Sequence, residues 1–320
     1  MRRLRIIAAA LVLLALAQPA RGEYPERPIR WLLPFPAGGA VDLVARLVSA
    51  RMAEDLRQSI VIENKPGAGG IVATDATAKA PADGYTLLVT TPNHTINAAF
   101  RAKLPYDTEK DLAPISIVAA IPELLVSHPA ASFETFQGFV AYAKANPGKL
   151  NYASAGNGTL PHVTMELLLQ RLGLKVTHVP YRGAAPAMTD LLAGQVQLKL
   201  DTYATSAQHV ADGKLRALAY ANKDRLPQLP DVPTVAEMGL PGYEGILWIG
   251  LMAPAATPKP IIDKLAASSR RAIRTPEIER RFNQDGIDLV GNTPAEFASL
   301  ISREIAQWRE LGKAVQIEVE

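Results

Sequence analysis

Two short stretches of this sequence carry the residue types that hold an anion. In the first, Phe35-Pro36-Ala37-Gly38-Gly39 follows a short apolar run and opens a helical pattern with Val41, Val44, Ala45, Val48 and Met52 on one face and Asp42 beside them. In the second, Ser154-Ala155-Gly156-Asn157-Gly158-Thr159 leads into a helix whose first turn holds His162. Glycine lets backbone approach a ligand closely, and the first turn of a helix has N–H groups without internal partners, so a strand, a glycine turn and a helix start can receive a negative charge. The first stretch is not a nucleotide loop, because no Lys-Ser or Lys-Thr follows its glycines and Gly-x-Gly-x-x-Gly spacing is absent. Ser154 and Thr159 add hydroxyl donors to the second. Each hydrogen bond to a carboxylate is worth about 1.5–3 kcal/mol when water is excluded, so a clamp of this kind needs no ion pair.

Other chemistry is less well supported. Ser154, His162 and Asp201 are the residue types of a hydrolytic triad, but Ser154 is not in a Gly-x-Ser-x-Gly elbow. The histidines at 94, 128, 162, 178 and 209 lack metal-binding spacing, so no metal or cofactor is expected. Asp201, at a strand end, either caps local backbone or holds water, an amino or a hydroxyl group of a ligand. Arg182 either pairs with Asp201, reaches a distal carboxylate or is solvated, and His162 either donates to the ligand or packs. Trp248 reads as core or hinge in preference to a ligand-stacking ring.

The elements that position these residues follow from periodicity. Strands are expected at Ile29–Phe35, Ile60–Ile62, Tyr85–Thr91, Leu150–Ser154, Lys175–Tyr181, Val196–Leu200 and Lys214–Asn222, most of them followed by a helix. Thr91 and Asn93 end one strand and should sit near Gly38, because parallel strands share a carboxyl edge. The apolar run Ile115–His128, broken by Pro122, suits a strand passing between lobes, and Tyr243–Met252 suits the return. Helices at Lys259–Ile273 and Pro294–Leu311 should pack on the first lobe. The expectation is an α/β protein of two lobes, each a mainly parallel sheet flanked by helices, with a ligand cleft between them: residues 23–123 and 246–320 in one lobe, 124–245 in the other.

Residues 1–22 read as a secretory signal peptide, with Arg2, Arg3 and Arg5 before an apolar run too short to span a bilayer and small-residue cleavage sites after Ala17 or Gly22. This segment holds four Arg and no acid, so removing it takes Lys+Arg from 34 to 30 against 31 Asp+Glu, and the net charge from +3 to −1. The high pI therefore gives no reason to expect nucleic acid. With no cysteine, an exported chain must fold without disulfides, and the periplasm is the expected compartment.

The chain also resembles a known family. Tyr24-Pro-Glu-Arg-Pro-Ile29, Pro34-Phe-Pro-Ala-Gly-Gly39, Glu63-Asn-Lys-Pro-Gly-Ala-Gly-Gly70, Pro81-Ala-Asp-Gly-Tyr-Thr-Leu-Leu88, His178-Val-Pro-Tyr-Arg-Gly183 and Leu229-Pro-Asp-Val-Pro-Thr234 look like the substrate-binding proteins of tripartite tricarboxylate transporters, the Bug receptors. The resemblance implies a monomeric periplasmic receptor, not an enzyme, that closes on a di- or tricarboxylate or an aromatic acid and docks on a membrane permease of large and small subunits. It places the ligand between Phe35–Gly39, with Asp42 nearby, and Ser154–Thr159, with Thr91, Asn93, Tyr181, Arg182, Gly183, Asp201, Thr202 and Tyr203 completing the rim. Arg57, Ala98 and Ala256 depart from the family pattern, and none belongs to the expected clamp. The alternatives are a secreted hydrolase using Ser154 and His162, or a sensor that hands its ligand to a signalling partner.

Overall fold

The computed structural model describes residues 23–314, so the expected signal segment lies outside the described residues. Strand β1 (Ile29–Leu33) feeds helix α1 (Ala40–Leu56), β2 (Ile60–Asn64) feeds α2 (Ile71–Ala78), and β3 (Thr86–Thr90) feeds α3 (Asn93–Phe100). After the long strand β4 (Leu112–Ser127) and helix α4 (Phe136–Ala145) the alternation repeats. Strand β5 (Asn151–Ser154) feeds α5 (Leu160–Leu172), β6 (Thr177–Pro180) feeds α6 (Ala184–Leu192), and β7 (Leu198–Thr202) feeds α7 (Tyr203–Ala211). Strands β8 (Arg216–Tyr220) and β9 (Ile246–Pro254), helices α8 (Lys259–Ile273) and α9 (Pro276–Gln284), strand β10 (Asp288–Leu289) and helix α10 (Pro294–Ala314) complete the described chain.

The same strand order occurs twice. In the first lobe β1 lies between β2 and β3, all parallel, and β9 runs antiparallel beside β3. In the second, β5 lies between β6 and β7, all parallel, and β4 runs antiparallel beside β7. Strand β4 serves both: it pairs with β9 up to Pro122 and with β7 from Glu123 onward. Where sheet order reverses about a first strand, the loops leaving the carboxyl ends of that strand and its later neighbour open a crevice. In this chain those loops follow β1 and β3 in one lobe and β5 and β7 in the other.

Each lobe has its own apolar centre. Trp31, Leu33, Val44, Val48 and Met52 meet Leu265, Ile273 and Phe282 in the first. Phe136, Phe139, Tyr152, Leu168, Leu198, Leu200 and Tyr243 fill the second. A buried side chain of this size contributes about 1.5–3 kcal/mol, so either centre can hold its loops in place. Helix α10 packs Phe297, Ile301 and Ile305 on the first lobe, as expected, but also brings Trp308 against Ile96, Leu160 and Val163, touching α3 and α5 together. Trp248 is core: its indole N–H donates to Glu304 at 2.8 Å and its ring meets Phe297 edge-on.

Some boundaries differ from the sequence expectation. The sequence pattern suggests a helix from Pro186 to Ala193; the observed helix, α6, begins at Ala184, two residues earlier, with Gly183 as its N-cap residue at φ +122°. Helix α9 was not anticipated; its apolar stripe is only Ile278 and Phe282 among charged residues. Arg57 closes α1 in the left-handed conformation at φ 54°, a position where glycine costs less, so the arginine is the more strained choice there.

Candidate functional site

The four crevice loops meet around one cavity of ≈ 70 Å³. A water needs about 10–15 Å³ on the same measure, so the space suits a small metabolite and excludes a polymer. Phe35, Pro36, Gly39, Asp42 and Asn93 line it from the first lobe, and Ala155, Thr159, Asp201 and Thr202 from the second. The lobes touch around it. A Cβ on Gly183 would lie 2.8 Å from Pro36 Cδ, and one on Gly39 would lie 3.6 Å from Ala184 Cβ.

The first glycine turn presents donors. Gly39 is the N-cap residue of α1, and among the described residues no side chain caps the helix. The first backbone bond of the helix is Leu43 N–H to Gly39 C=O at 3.1 Å, so the N–H groups of Gly39, Ala40 and Val41 have no acceptor among the described residues. Asp42 sits behind this array. Its carboxylate accepts from Gly38 N–H, from Asn64 Nδ2 and, through both oxygens at 2.9 Å, from Arg46. Burial opposes ionisation of Asp42, but those hydrogen bonds outweigh it and hold the carboxyl below its usual range. Asn64 also donates to Phe35 C=O at 2.9 Å, fixing the loop entrance.

The second turn is organised differently. Gly156 N–H donates to Ser154 Oγ, Gly158 N–H to His162 Nδ1, Thr159 N–H to Gly156 C=O and His162 N–H to Thr159 C=O. Pro161 has no N–H, and Leu160 N–H donates across the cleft to Asn93 Oδ1 at 3.0 Å. Ser154 Oγ also lies 2.6 Å from His178 Nε2, and Thr159 Oγ1 donates to Gly156 C=O at 2.7 Å. Both hydroxyls therefore bind their own loop instead of offering the donors expected from the sequence. In this turn Ala155 and Asn157 keep N–H groups without acceptors among the described residues, and Ala155 faces the cavity.

Behind that turn His162 stacks on His178 at 4.0 Å between ring centroids, and His178 stacks on Tyr152 at 4.8 Å. Burial pushes His162 down to about 4, and burial together with His162 pushes His178 down to about 3. His162 thus supports the loop, and the serine's histidine partner is His178, not the expected His162.

The remaining expected residues divide by position. Gly38 opens on a neighbouring groove with Arg46 and Arg281, while Gly156, Asn157, Tyr181, Arg182 and Gly183 line a second groove on the other side of the Pro36–Gly183 contact. Ala37, Thr91, Ser154, Gly158, His162 and Tyr203 line none of these three spaces. Thr91 is buried, and its carbonyl accepts from His94 N–H at the start of α3. Arg182 is exposed and does not pair with Asp201. The partner of Asp201 is Lys199, at 2.5 Å, with both side chains almost fully buried.

Sequence reasoning missed Lys199 and Glu123, although a charged residue inside an apolar strand was a visible signal in both cases. Glu123 lines the cavity where β4 changes lobes, and burial pushes it up to about 8, above the effect of the Thr164 hydroxyl donating to it at 2.6 Å. Apolar wall residues, Leu160, Pro161, Leu200 and Leu247 among them, were also not anticipated. The three acids of the cavity are thus each neutralised: Asp42 by Arg46, Asp201 by Lys199, Glu123 by retaining its proton at neutral pH. What remains at the wall is the positive end of α1, worth about half a charge.

Comparisons with known proteins show the family and the fold. Residues 44–317 match the profile of the tripartite tricarboxylate transporter family receptor. A UPF0065 protein from the tcbD-tcbE intergenic region of Pseudomonas sp. (strain P51) is 40% identical over 289 residues, covering 90% of this chain and 86% of its own. The periplasmic binding protein BugD superposes with a TM-score of 0.89 at 34% identity, over 92% of this chain and 99% of its own. MatC from Rhodopseudomonas palustris, solved with bound malate, superposes with a TM-score of 0.85 at 35% identity, over 90% of this chain and 99% of its own.

Proposed function

The chain belongs to the tripartite tricarboxylate transporter receptor family, and from that premise we propose that it captures a small organic carboxylate between its lobes, in the periplasm, and delivers it to a membrane permease. It is a solute-binding protein and not an enzyme, as its family and neighbours are. The observation that carries the carboxylate reading is the uncapped start of α1, whose Gly39, Ala40 and Val41 N–H groups open on a cavity in which every acidic side chain is neutralised. Malate in the MatC structure is a carboxylate of the size this cavity suits.

One lobe is assigned residues 23–123 and 246–320, of which 315–320 lie outside the described residues, and the other 124–245, with β4 and the segment before β9 as hinges. The change of partners after Pro122 supports that division, as do the bonds Glu123 N–H to Gly245 C=O and Gly245 N–H to Ala221 C=O. Delivery to a permease of large and small subunits by a monomeric receptor rests on the family relationship alone. Among the described residues no helix is long and apolar enough to cross a membrane.

A thermal-shift screen against organic acids tests the reading. A ligand that binds only the closed, folded protein raises the melting temperature by mass action, and at least one small carboxylate is expected to do so. A folded sample that responds to no acid in a broad library contradicts it.

A further inference from the structure

Lys199 lies on β7, between β4 and β5 in the middle of its sheet, where a strand position ordinarily holds an apolar side chain. Its ammonium donates to Asp201 Oδ1 at 2.5 Å and to Leu200 C=O at 3.4 Å, and Thr205 Oγ1 donates to Asp201 Oδ2 at 2.9 Å. Both charged residues line the cavity. Taking two charges out of water costs several kcal/mol per ion, and apolar residues of similar volume commonly do as well or better, so stability is a poor reason for such a pair. An ammonium has three N–H groups, and the third has no acceptor among the described residues. A cation one acceptor short, in the wall of an anion-binding cavity, is a site for a second anionic group.

We propose that Lys199 is the specificity-determining residue for a second negative group on the ligand and that Asp201 is its built-in competitor, so that together they set how far diacids are preferred over monoacids. This inference rests on the carboxylate-receptor reading. One carboxylate engages the start of α1. A monoacid then leaves the Lys199–Asp201 pair undisturbed and turns only its chain toward it. A second carboxylate gains the spare N–H of Lys199 and meets the repulsion of Asp201, and the difference between these two sets the preference. The neutral Glu123 adds no further repulsion.

The two side chains therefore act in opposite senses. Calorimetry at pH 7 with straight-chain diacids from malonate to adipate, each against the monoacid of equal length, separates them. Lys199→Met is expected to weaken the best diacid about tenfold or more and Asp201→Asn to tighten it severalfold, in each case by more than the monoacid of equal length changes. Lys199→Met leaves a buried carboxylate short of its cation and can fail to fold. The double variant Lys199→Met/Asp201→Asn carries neither charge, and it should show no preference for diacids over monoacids. A wild-type preference for diacids that survives in the double variant overturns the proposal, as does a diacid weakened by Asp201→Asn. If the wild-type protein binds diacids and monoacids equally, only this proposal fails. If it binds no acid of either series, the receptor reading fails with it.

Discussion

At the first glycine turn the N–H groups of Gly39, Ala40 and Val41 have no acceptor among the described residues, and a paired carboxylate, Asp42, holds the loop from behind. At the second, the N–H groups of Gly156, Gly158, Thr159, Leu160 and His162 are already taken, by the loop itself, by His162 and by Asn93 of the opposite lobe. Two stretches with the same strand–glycine–helix pattern thus have different parts in one clamp. On the proposed reading the first receives the anion. The second keeps N–H groups without acceptors at Ala155 and Asn157, among the described residues, and its helix start is occupied by Asn93 of the opposite lobe.

The contrast can be broken at several points. Gly183→Val should have the largest effect, because its Cβ would meet Pro36 at 2.8 Å and its φ of +122° suits only glycine; closure fails, and acid affinity measured by calorimetry should fall about 100-fold or more. Gly39→Val and Ser154→Ala test the two turns against each other. The valine would put its Cβ in contact with Ala184 Cβ, at 3.6 Å, and its branches beside the N–H groups without acceptors among the described residues, for a loss of about thirtyfold, whereas removing a hydroxyl that binds only its own loop and His178 should cost less than about threefold. Equal losses would mean that the second turn also binds ligand.

Acid should loosen the second turn before the first. His162 and His178 titrate near 4 and 3 in the folded protein and near 6.5 when unfolded, so between pH 6.5 and about 4 the unfolded chain takes protons that the folded chain refuses. Their contribution is intact above pH 6.5 and declines as pH falls through that window. Glu123 acts in the opposite direction: its folded value near 8 lies above 4.5, so its contribution is full below pH 4.5 and is lost as pH rises toward 8. Melting temperatures of His178→Gln should fall less steeply on the acid side and those of Glu123→Gln less steeply on the alkaline side. Asp42, held below its usual range, does not titrate in this window. Arg182→Ala should change acid binding by less than about twofold, as expected of an exposed residue outside the cavity.

Much of this arrangement was legible in the sequence. Apolar periodicity and glycine placed both turns at strand ends, and Lys259–Ile273 was read to the residue because its helical stripe is strong. What failed to show depends on contacts between distant segments. Nothing near Leu160 says that its N–H meets Asn93, and nothing near Asp201 chooses Lys199 over Arg182 except the oddity of a lysine in a strand of leucines. Helix α6 starts early because Gly183 turns against Pro36 of the other lobe, a constraint invisible to local propensity.

The division of labour between the turns is tested most directly by the position of a bound carboxylate in a crystal structure of the acid complex. The account predicts carboxylate oxygens within hydrogen-bond distance of the Ala40 and Val41 N–H groups, with the Asn93–Leu160 bond intact. A carboxylate seated instead on the N–H groups of Gly158 and Leu160, with Asn93 displaced, would contradict it.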